Sequence, residues 1–322
     1  RSVPKDYMVF GRAHKLQTEY WWESDMRDFI SKVAVITGAG SGMGRYLAVL
    51  LAKSGCDVMI CDVNEDTLAG TASMLKNYNV AVSRHVLDVG DAEAIKALPE
   101  KVIAQHGKVD LVFNNAGITI DSDFANMSEP DWDKVMDVNL HGVINMTRAF
   151  LPYLKDRPEA AVVNTSSIFG MIAVPRQSVY HATKFAVRGF TESLVKEMKG
   201  TSVQVHCVHP GHIGTNILTA AKVNRAEGES APSGLLGRSD ATHEEQGKAF
   251  RENGMHASRA AQVILDGVRK RRSRIFIGMD AKLIDLAQRL TPMHYDKLLP
   301  LIFLPLMLFR NKKAIQDLPA EP

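Results

Sequence analysis

The sequence predicts an α/β fold: a single doubly wound parallel sheet with helices on both faces. Three observations carry that expectation. Short β-branched apolar runs recur without polar alternation, as strands buried on both faces do. Helix-length periodic segments separate those runs, which calls for right-handed crossovers between parallel strands. The first run passes through a glycine cluster straight into the first helical pattern.

The elements follow in order. Residues 33–37 read as the first strand, and 57–62, 80–87, 109–114, 160–166 and 203–208 read as five more, all buried. Between them 43–53, 66–77, 91–106, 131–155 and 178–199 read as helices. Residues 257–270 form a further helical pattern before a last strand at 274–277. The result is one domain over 26–290, an N-terminal extension over 1–25, and an apolar and basic tail over 291–322. Residues 219–254 break the rhythm, being polar and rich in Gly, Ser and charge. They start just past a strand's C-terminal end, where open α/β sheets bind ligands. An insertion of that size there reads as a substrate lid.

Composition narrows the classes. The chain has 322 residues, 45% hydrophobic and 23% charged, which suits a sizeable core and excludes disorder as the main state. A net charge of +3 is too balanced for a general nucleic-acid footprint. Cys56, Cys61 and Cys207 are odd in number and widely spaced, fitting neither a disulfide framework nor a zinc site. A reducing, cytoplasmic setting is expected. No apolar run reaches the ~18 residues of a spanning helix. The stretch 298–309 is broken by Pro300 and Pro305 and followed by Arg310, Lys312 and Lys313. Packing against protein is its first reading; covering the substrate cleft and a peripheral membrane contact through 298–313 are the others.

After the first strand comes Thr37-Gly38-Ala39-Gly40-Ser41-Gly42-Met43-Gly44. Glycines there permit a tight turn and close approach of backbone to a pyrophosphate, and the new helix's free N–H groups favour its charge. The strand–turn–helix context is what such a motif requires. Asp62 ends the second strand about 20 residues on, where a carboxylate accepts from ribose hydroxyls and repels a 2′-phosphate. The expected cofactor is therefore NAD(H) over NADP(H). Asp88 and Asn114-Asn115-Ala116-Gly117 follow the third and fourth strands, on the same edge of the sheet.

Tyr180 and Lys184 stand at i and i+4 on one helix face. A nearby ammonium lowers a phenol's pKa, so the pair suits proton exchange with a substrate oxygen. Thirteen residues earlier Asn164-Thr165-Ser166-Ser167-Ile168-Phe169-Gly170 ends the fifth strand, and Asp137-Val138-Asn139-Leu140 lies in the preceding long helix. His206, His209 and His212 are spaced by three around the sixth strand's end. That spacing sets up no evident ligand geometry, so no metal is expected. His209 and His212 are expected to border the substrate pocket, and His181 to be a neighbour of Tyr180 on another helix face.

At these residues the sequence resembles the short-chain dehydrogenase/reductase family. The matching positions are Thr37–Gly44, Asp62, Asp88, Asn114–Gly117, Asn139, Ser167, Tyr180, Lys184 and Pro210-Gly211, and the resemblance covers about 27–290. It implies a Rossmann-type fold and a secondary alcohol or ketone as substrate. It implies Tyr180 as acid/base, Lys184 as the group that lowers its pKa and holds the nicotinamide ribose, and Ser167 as the hydrogen-bond partner of the substrate oxygen. Asn139 would hold a relay water. Pro210, Gly211, Ile213 and Thr215 would line the nicotinamide amide. The cofactor set also takes in Gly38, Ser41, Gly42, Met43, Gly44, Val63, Val89, Asn115, Ala116 and Gly117. A homodimer or homotetramer is implied as well. The apolar tail and the long lid point to a bulky hydrophobic substrate of steroid, terpenoid or long-chain type. The alternative is a catalytically silent nucleotide-binding protein on the same fold.

Overall fold

The computed structural model describes residues 28–224, 242–299, 315 and 318. The 1–25 extension, the middle of the expected lid (225–241) and most of the 291–322 tail, including 300–313, lie outside the described residues.

Seven strands form one parallel sheet: β1 (Val33–Thr37), β2 (Asp57–Asp62), β3 (Val82–Val86), β4 (Leu111–Asn114), β5 (Ala160–Thr165), β6 (Val203–Pro210) and β7 (Arg274–Ile277). Their spatial order is β7-β6-β5-β4-β1-β2-β3. All six pairings are parallel. The chain reverses its winding between β1 and β4, and a crevice opens at the strands' C-terminal ends at that switch point. The expected Rossmann-type fold is what is found.

Alternate residues of the interior strands enter opposite cores. Ala34 and Ile36 of β1 pack on one face with helices α1 (Gly42–Lys53), α2 (Glu65–Leu75) and α9 (Ala257–Arg269). Val33 and Val35 pack on the other with α3 (Ala92–Lys96), α4 (Leu98–His106), α6 (Gly142–Lys155) and α7 (Ser178–Glu197). Apolar side chains on both faces are why these strands show no polar alternation.

The structure departs from the sequence reading at four places. The third strand is an edge strand, and its residues alternate between half-buried and exposed instead of being buried throughout. The expected 91–106 helix is two, because α3 ends at Lys96 and α4 begins at Leu98 with Pro99 in its first turn. The expected 131–155 helix is α5 (Glu129–Met136) and α6 joined by a π turn over Asp137–His141. Such turns change a helix's register and recur at functional sites. Residues 219–254 are not without regular structure. They hold a short strand, Lys222–Asn224, paired in parallel with Ile120–Ser122, and helix α8 (His243–Asn253) with a Thr242–Glu245 capping box. Helix α10 (Met279–Leu290) follows β7.

Candidate active site

The glycine turn is built by close contacts. Gly38 and Gly42 have φ of +63° and +53°, where a side chain is strained. A Cβ on Gly44 would lie 2.1 Å from the Gly38 carbonyl oxygen, so β1 and α1 meet only because it is absent. Asp62 Oδ2 accepts from the Gly40 amide at 2.9 Å, and its Oδ1 accepts from Asn64 N at 3.0 Å. The carboxylate thus stands at the turn itself. Arg45 is buried one turn into α1 and donates to the Gly40 carbonyl and to Thr71 Oγ1, bracing the turn from inside. Val63, beyond Asp62, is 65% exposed. Asp88 is drawn to Lys134 at 2.6 Å, and hydrogen bonds from Lys134 and the Gly90 amide hold its carboxyl below the usual range against a burial effect of opposite sign. Val89 is 7% exposed and packs in the core beside Gly142, away from the cavity wall.

The asparagines after β4 tie elements together. Asn114 Nδ2 donates to Asn164 Oδ1 at 2.8 Å and Thr147 Oγ1 at 3.1 Å, linking β4 to β5 and α6. Asn115 Nδ2 donates to the Thr37 carbonyl, while its Oδ1 is buried and unpartnered. The small residues beyond keep space open: a Cβ on Gly117 would come 3.3 Å from Asn139 Oδ1 and 3.4 Å from Lys184 Nζ. An orphaned acceptor and a cradle that one methyl would fill are what a bound nicotinamide ribose requires, so these residues fit a dinucleotide.

A cavity of about 480 Å³ lies at the C-terminal ends of β4, β5 and β6. It brings together Met43, Asn115, Gly117, Ser167, Tyr180, Lys184, Pro210, Gly211, Ile213 and Thr215 from the expected set. Gly38, Ser41, Gly42, Gly44, Asp62, Val63, Asp88, Val89, Ala116 and Asn139 are not on its wall. Ser167 follows β5, and its Oγ accepts from Phe169 N at 3.1 Å and faces the Tyr180 phenol. Tyr180 and Lys184 project from the first turns of α7, and Lys184 Nζ sits 5.5 Å from the Tyr180 ring centre.

The electrostatics correct one expectation. Lys184 does not depress Tyr180 in the protein alone. Burial pushes the phenol up to about 12, with only the Ser167 hydrogen bond acting the other way. Burial also pushes Lys184 down to about 8. Desolvation penalises both charged forms, and the ammonium's hydrogen bond is to the Thr165 carbonyl at 2.9 Å. Asn139 is buried in the π turn. Its side chain clamps the Ile118 backbone, accepting from the amide and donating to the carbonyl, both at 2.9 Å. Its side-chain amide is therefore committed to the protein, and a relay water there would fall to its main-chain carbonyl.

The histidines sort differently from expectation. His181 is not a bystander: Phe169 O lies 3.0 Å from its Nδ1, and its Nε2 accepts from Val174 N, fixing the 169–174 loop on the cavity wall. His209 lies in the core against Phe276 and does not border the cavity, whereas His212 does. Among the described residues no group of three His, Cys, Asp or Glu is placed to hold a metal. The sequence reading missed Thr119, Asp121, Arg176, Gln177, Ile217 and Leu218 on the cavity wall, while His243 and Phe250 fall in the expected lid and Leu299 in the tail, whose readings include covering the cleft. The Thr242–Glu245 capping box was a readable signal for the helix that carries His243 and Phe250.

Comparison with known proteins agrees with this architecture. The family model for the short chain dehydrogenases matches residues 32–226. A Mycobacterium tuberculosis protein named as an oxidoreductase, SadH, is 39% identical over 275 residues, 85% of this chain and 95% of its own. A crystal structure of a short-chain dehydrogenase/reductase from Burkholderia phymatum in complex with NAD superposes with a TM-score of 0.73 at 30% identity, covering 91% of this chain and all of that one. A metagenomic short-chain oxidoreductase in complex with NADP gives a TM-score of 0.55 at 29% identity, over 57% of this chain and 82% of its own. A Rossmann-type sheet, a glycine turn at its switch point and a Ser–Tyr–Lys cavity beside it agree with those matches: the chain is an oxidoreductase of the short-chain dehydrogenase/reductase family.

Proposed function

We propose that this oxidoreductase passes a hydride between NAD(H) and a bulky, hydrophobic secondary alcohol or ketone, with Tyr180 as acid/base. One observation carries the reading. A single cavity of about 480 Å³ has Ser167, Tyr180 and Lys184 on its wall, and much of the rest is apolar: Ile168, Phe169, Val174, Ile217, Leu218, Phe250 and Leu299. That volume is in the range of drug-sized ligand pockets.

NAD(H), when bound, supplies the hydride chemistry. The Gly38–Gly44 turn and the N-terminus of α1 would hold its pyrophosphate, Asp62 its adenosine ribose, and the 210–215 turn its carboxamide. Tyr180 gives its hydroxyl proton to the oxygen of a ketone being reduced, or takes the proton of an alcohol being oxidised. Ser167 donates to the same oxygen as charge develops there. The Lys184 cation stabilises the phenolate side of that exchange, and its effect grows as water leaves the closed site. The half-buried Asp62 carboxylate, held at the Gly40 amide, supports NAD(H), because a 2′-phosphate would meet it.

Titration with NADH and NADPH, followed by nicotinamide fluorescence, tests the cofactor choice. An NAD-coupled screen of hydrophobic secondary alcohols tests the substrate class. Turnover confined to small polar polyols would sink it.

A further inference from the structure

We infer that His243 is a specificity-determining residue that receives a second, neutral oxygen of the substrate, remote from the reacting carbon. The inference rests on the proposed reaction at this cavity and adds a substrate class to it: bulky apolar ketones or alcohols carrying a distal hydroxyl or carbonyl.

The argument begins with α8. This helix is fixed against the 212–219 segment. The His212 ring contacts Phe250 at 4.1 Å between centroids, its Nε2 is 2.7 Å from the Phe250 carbonyl, and Arg251 Nη1 donates to Asn216 Oδ1 at 3.3 Å. Gly247 lies so close to Thr219 that a Cβ there would come within 2.5 Å of it. One face of the helix, His243, Gln246, Gly247 and Phe250, is thereby turned to the cavity. These positions follow i, i+3, i+4, i+7 spacing.

Most polar groups on the cavity wall are already engaged. Thr119 donates to Gln177 Oε1. Arg176 pairs with Asp121 at 2.8 Å. Lys184 donates to Thr165 O. Among the described residues, two buried side-chain atoms on the wall have no hydrogen-bond partner: Asn115 Oδ1 and His243 Nε2. Asn115 follows β4, donates to the Thr37 carbonyl beside the glycine turn, and is accounted for by a dinucleotide. His243 stands on a different element, on the wall that Ile217, Leu218 and Phe250 also line, and nothing in the reaction at Tyr180 uses it. A buried polar atom left alone is costly, and it is satisfied by what enters the cavity. An imidazole nitrogen donates to a carbonyl or accepts from a hydroxyl, according to tautomer. Most of the exposed cavity wall is apolar, so the rest of such a substrate is largely hydrocarbon.

The test compares matched probes on the full chain with its cofactor. Two pairs serve: 2-decanone against 10-hydroxydecan-2-one, and 5α-androstan-17-one against its 3β-hydroxy counterpart. His243→Phe keeps a planar ring and removes the nitrogen; His243→Gln keeps a polar end. NADH binding, read by fluorescence, shows that each variant is folded. For the pair the wild type accepts, His243→Phe is expected to lower kcat/KM for the hydroxylated ketone at least tenfold, mostly through KM, and to leave the plain ketone within twofold. His243→Gln is expected to restore part of the loss. Equal effects on both congeners, or none on either, would overturn the inference while leaving the hydride-transfer reading intact. No turnover of any probe by a wild type that binds NADH would fell both.

Discussion

Asp62 Oδ2 lies 2.9 Å from the Gly40 amide that donates to it, so the carboxylate that ends β2 is fastened to the glycine turn that ends β1. The contact explains the small residue at position 40, since a Cβ there would sit 2.8 Å from the same oxygen. It also fixes a negative charge beside the expected adenosine ribose. Asp62→Ala removes the charge and two backbone hydrogen bonds. We expect NADH to bind about ten- to a hundredfold more weakly, from the ~1.5–3 kcal/mol of a charged hydrogen bond. NADPH should weaken less or gain, because the 2′-phosphate no longer meets a carboxylate. Fluorescence titration of both nucleotides reads the outcome. Parallel losses would reduce Asp62 to a brace for the turn.

Tyr180 makes a second prediction. Burial raises its phenol to about 12 in the protein without nucleotide. The ordinary value is near 10, so the group should stay protonated where other tyrosines ionise. The difference in 295 nm absorbance between wild type and Tyr180→Phe should be flat until about pH 11. Tyr180→Phe should also abolish turnover, a loss of at least a thousandfold, with NADH affinity within about twofold. A phenol titrating near pH 7 without nucleotide would mean that Lys184 acts on it from the start.

Lys184 gives a prediction with a definite sign. Burial lowers its ammonium to about 8 in the folded protein. The unfolded chain holds that proton to about 10.4. Between these values the unfolded state binds more protons, so stability rises with pH. The buried charge therefore destabilises the fold fully below pH 8, and the penalty is relieved as pH climbs from about 8 towards 10.4. Lys184→Met removes the penalty and loses the bond to the Thr165 carbonyl at every pH. The Tm of Lys184→Met minus that of wild type should be more positive at pH 6.5 than at pH 10. Equal differences at both would remove the buried-charge argument. Activity is lost in either case.

How much of this was legible in the sequence depends on what each feature needs. β1, β2, β4 and β5 were legible because interior parallel strands bury both faces, and β-branched runs such as Val33-Ala-Val-Ile say so locally. The exposure of β3 was not, because it depends on which strand ends up at the sheet's margin. The π turn at Asn139 has no propensity signal to separate it from the helices on either side. The Tyr180–Lys184 spacing gave the pair but not its burial, and burial reverses the expected direction of the phenol's shift. Helix α8 was obscured by its own composition: Glu244, Glu245, Lys248, Arg251 and Glu252 leave a narrow cavity face on a largely polar helix. Its capping box was the cue.

Gly44 supports a stringent test of the turn. An alanine methyl there would lie 2.1 Å from the Gly38 carbonyl oxygen and 2.7 Å from Asn115 Nδ2. Neither neighbour can yield cheaply, since one is backbone and the other is tied to Thr37 O at 3.2 Å. Gly44→Ala should lower stability by about 1–3 kcal/mol, as overpacking does, and weaken NADH at least tenfold. Urea unfolding and nucleotide titration check both parts. Wild-type affinity for NADH in this variant would place the dinucleotide elsewhere.

Arg176 carries the last prediction. It has a φ of +65°, unfavourable for any residue but glycine. Its guanidinium nonetheless reaches Asp121 at 2.8 Å, Asp123 at 2.6 Å and the Asn224 carbonyl at 3.1 Å. Asp121 lines the cavity, Asp123 lies two residues on, and Asn224 ends the short strand that pairs with Ile120–Ser122. The side chain is 6% exposed, so its pairings are screened less than surface ones. The backbone strain persists because these contacts over-determine the conformation. Two substitutions separate the effects. Arg176→Ala loses the contacts and keeps the strain; Arg176→Gly loses the contacts and relieves it. Both should destabilise, with the alanine variant worse by about 1–2 kcal/mol, the cost of holding a side chain at positive φ. Both should also raise KM for a bulky substrate more than they lower kcat, because the wall that they loosen positions the substrate and takes no part in proton transfer. A glycine variant less stable than the alanine one would mean that position 176 leaves positive φ once its contacts are gone.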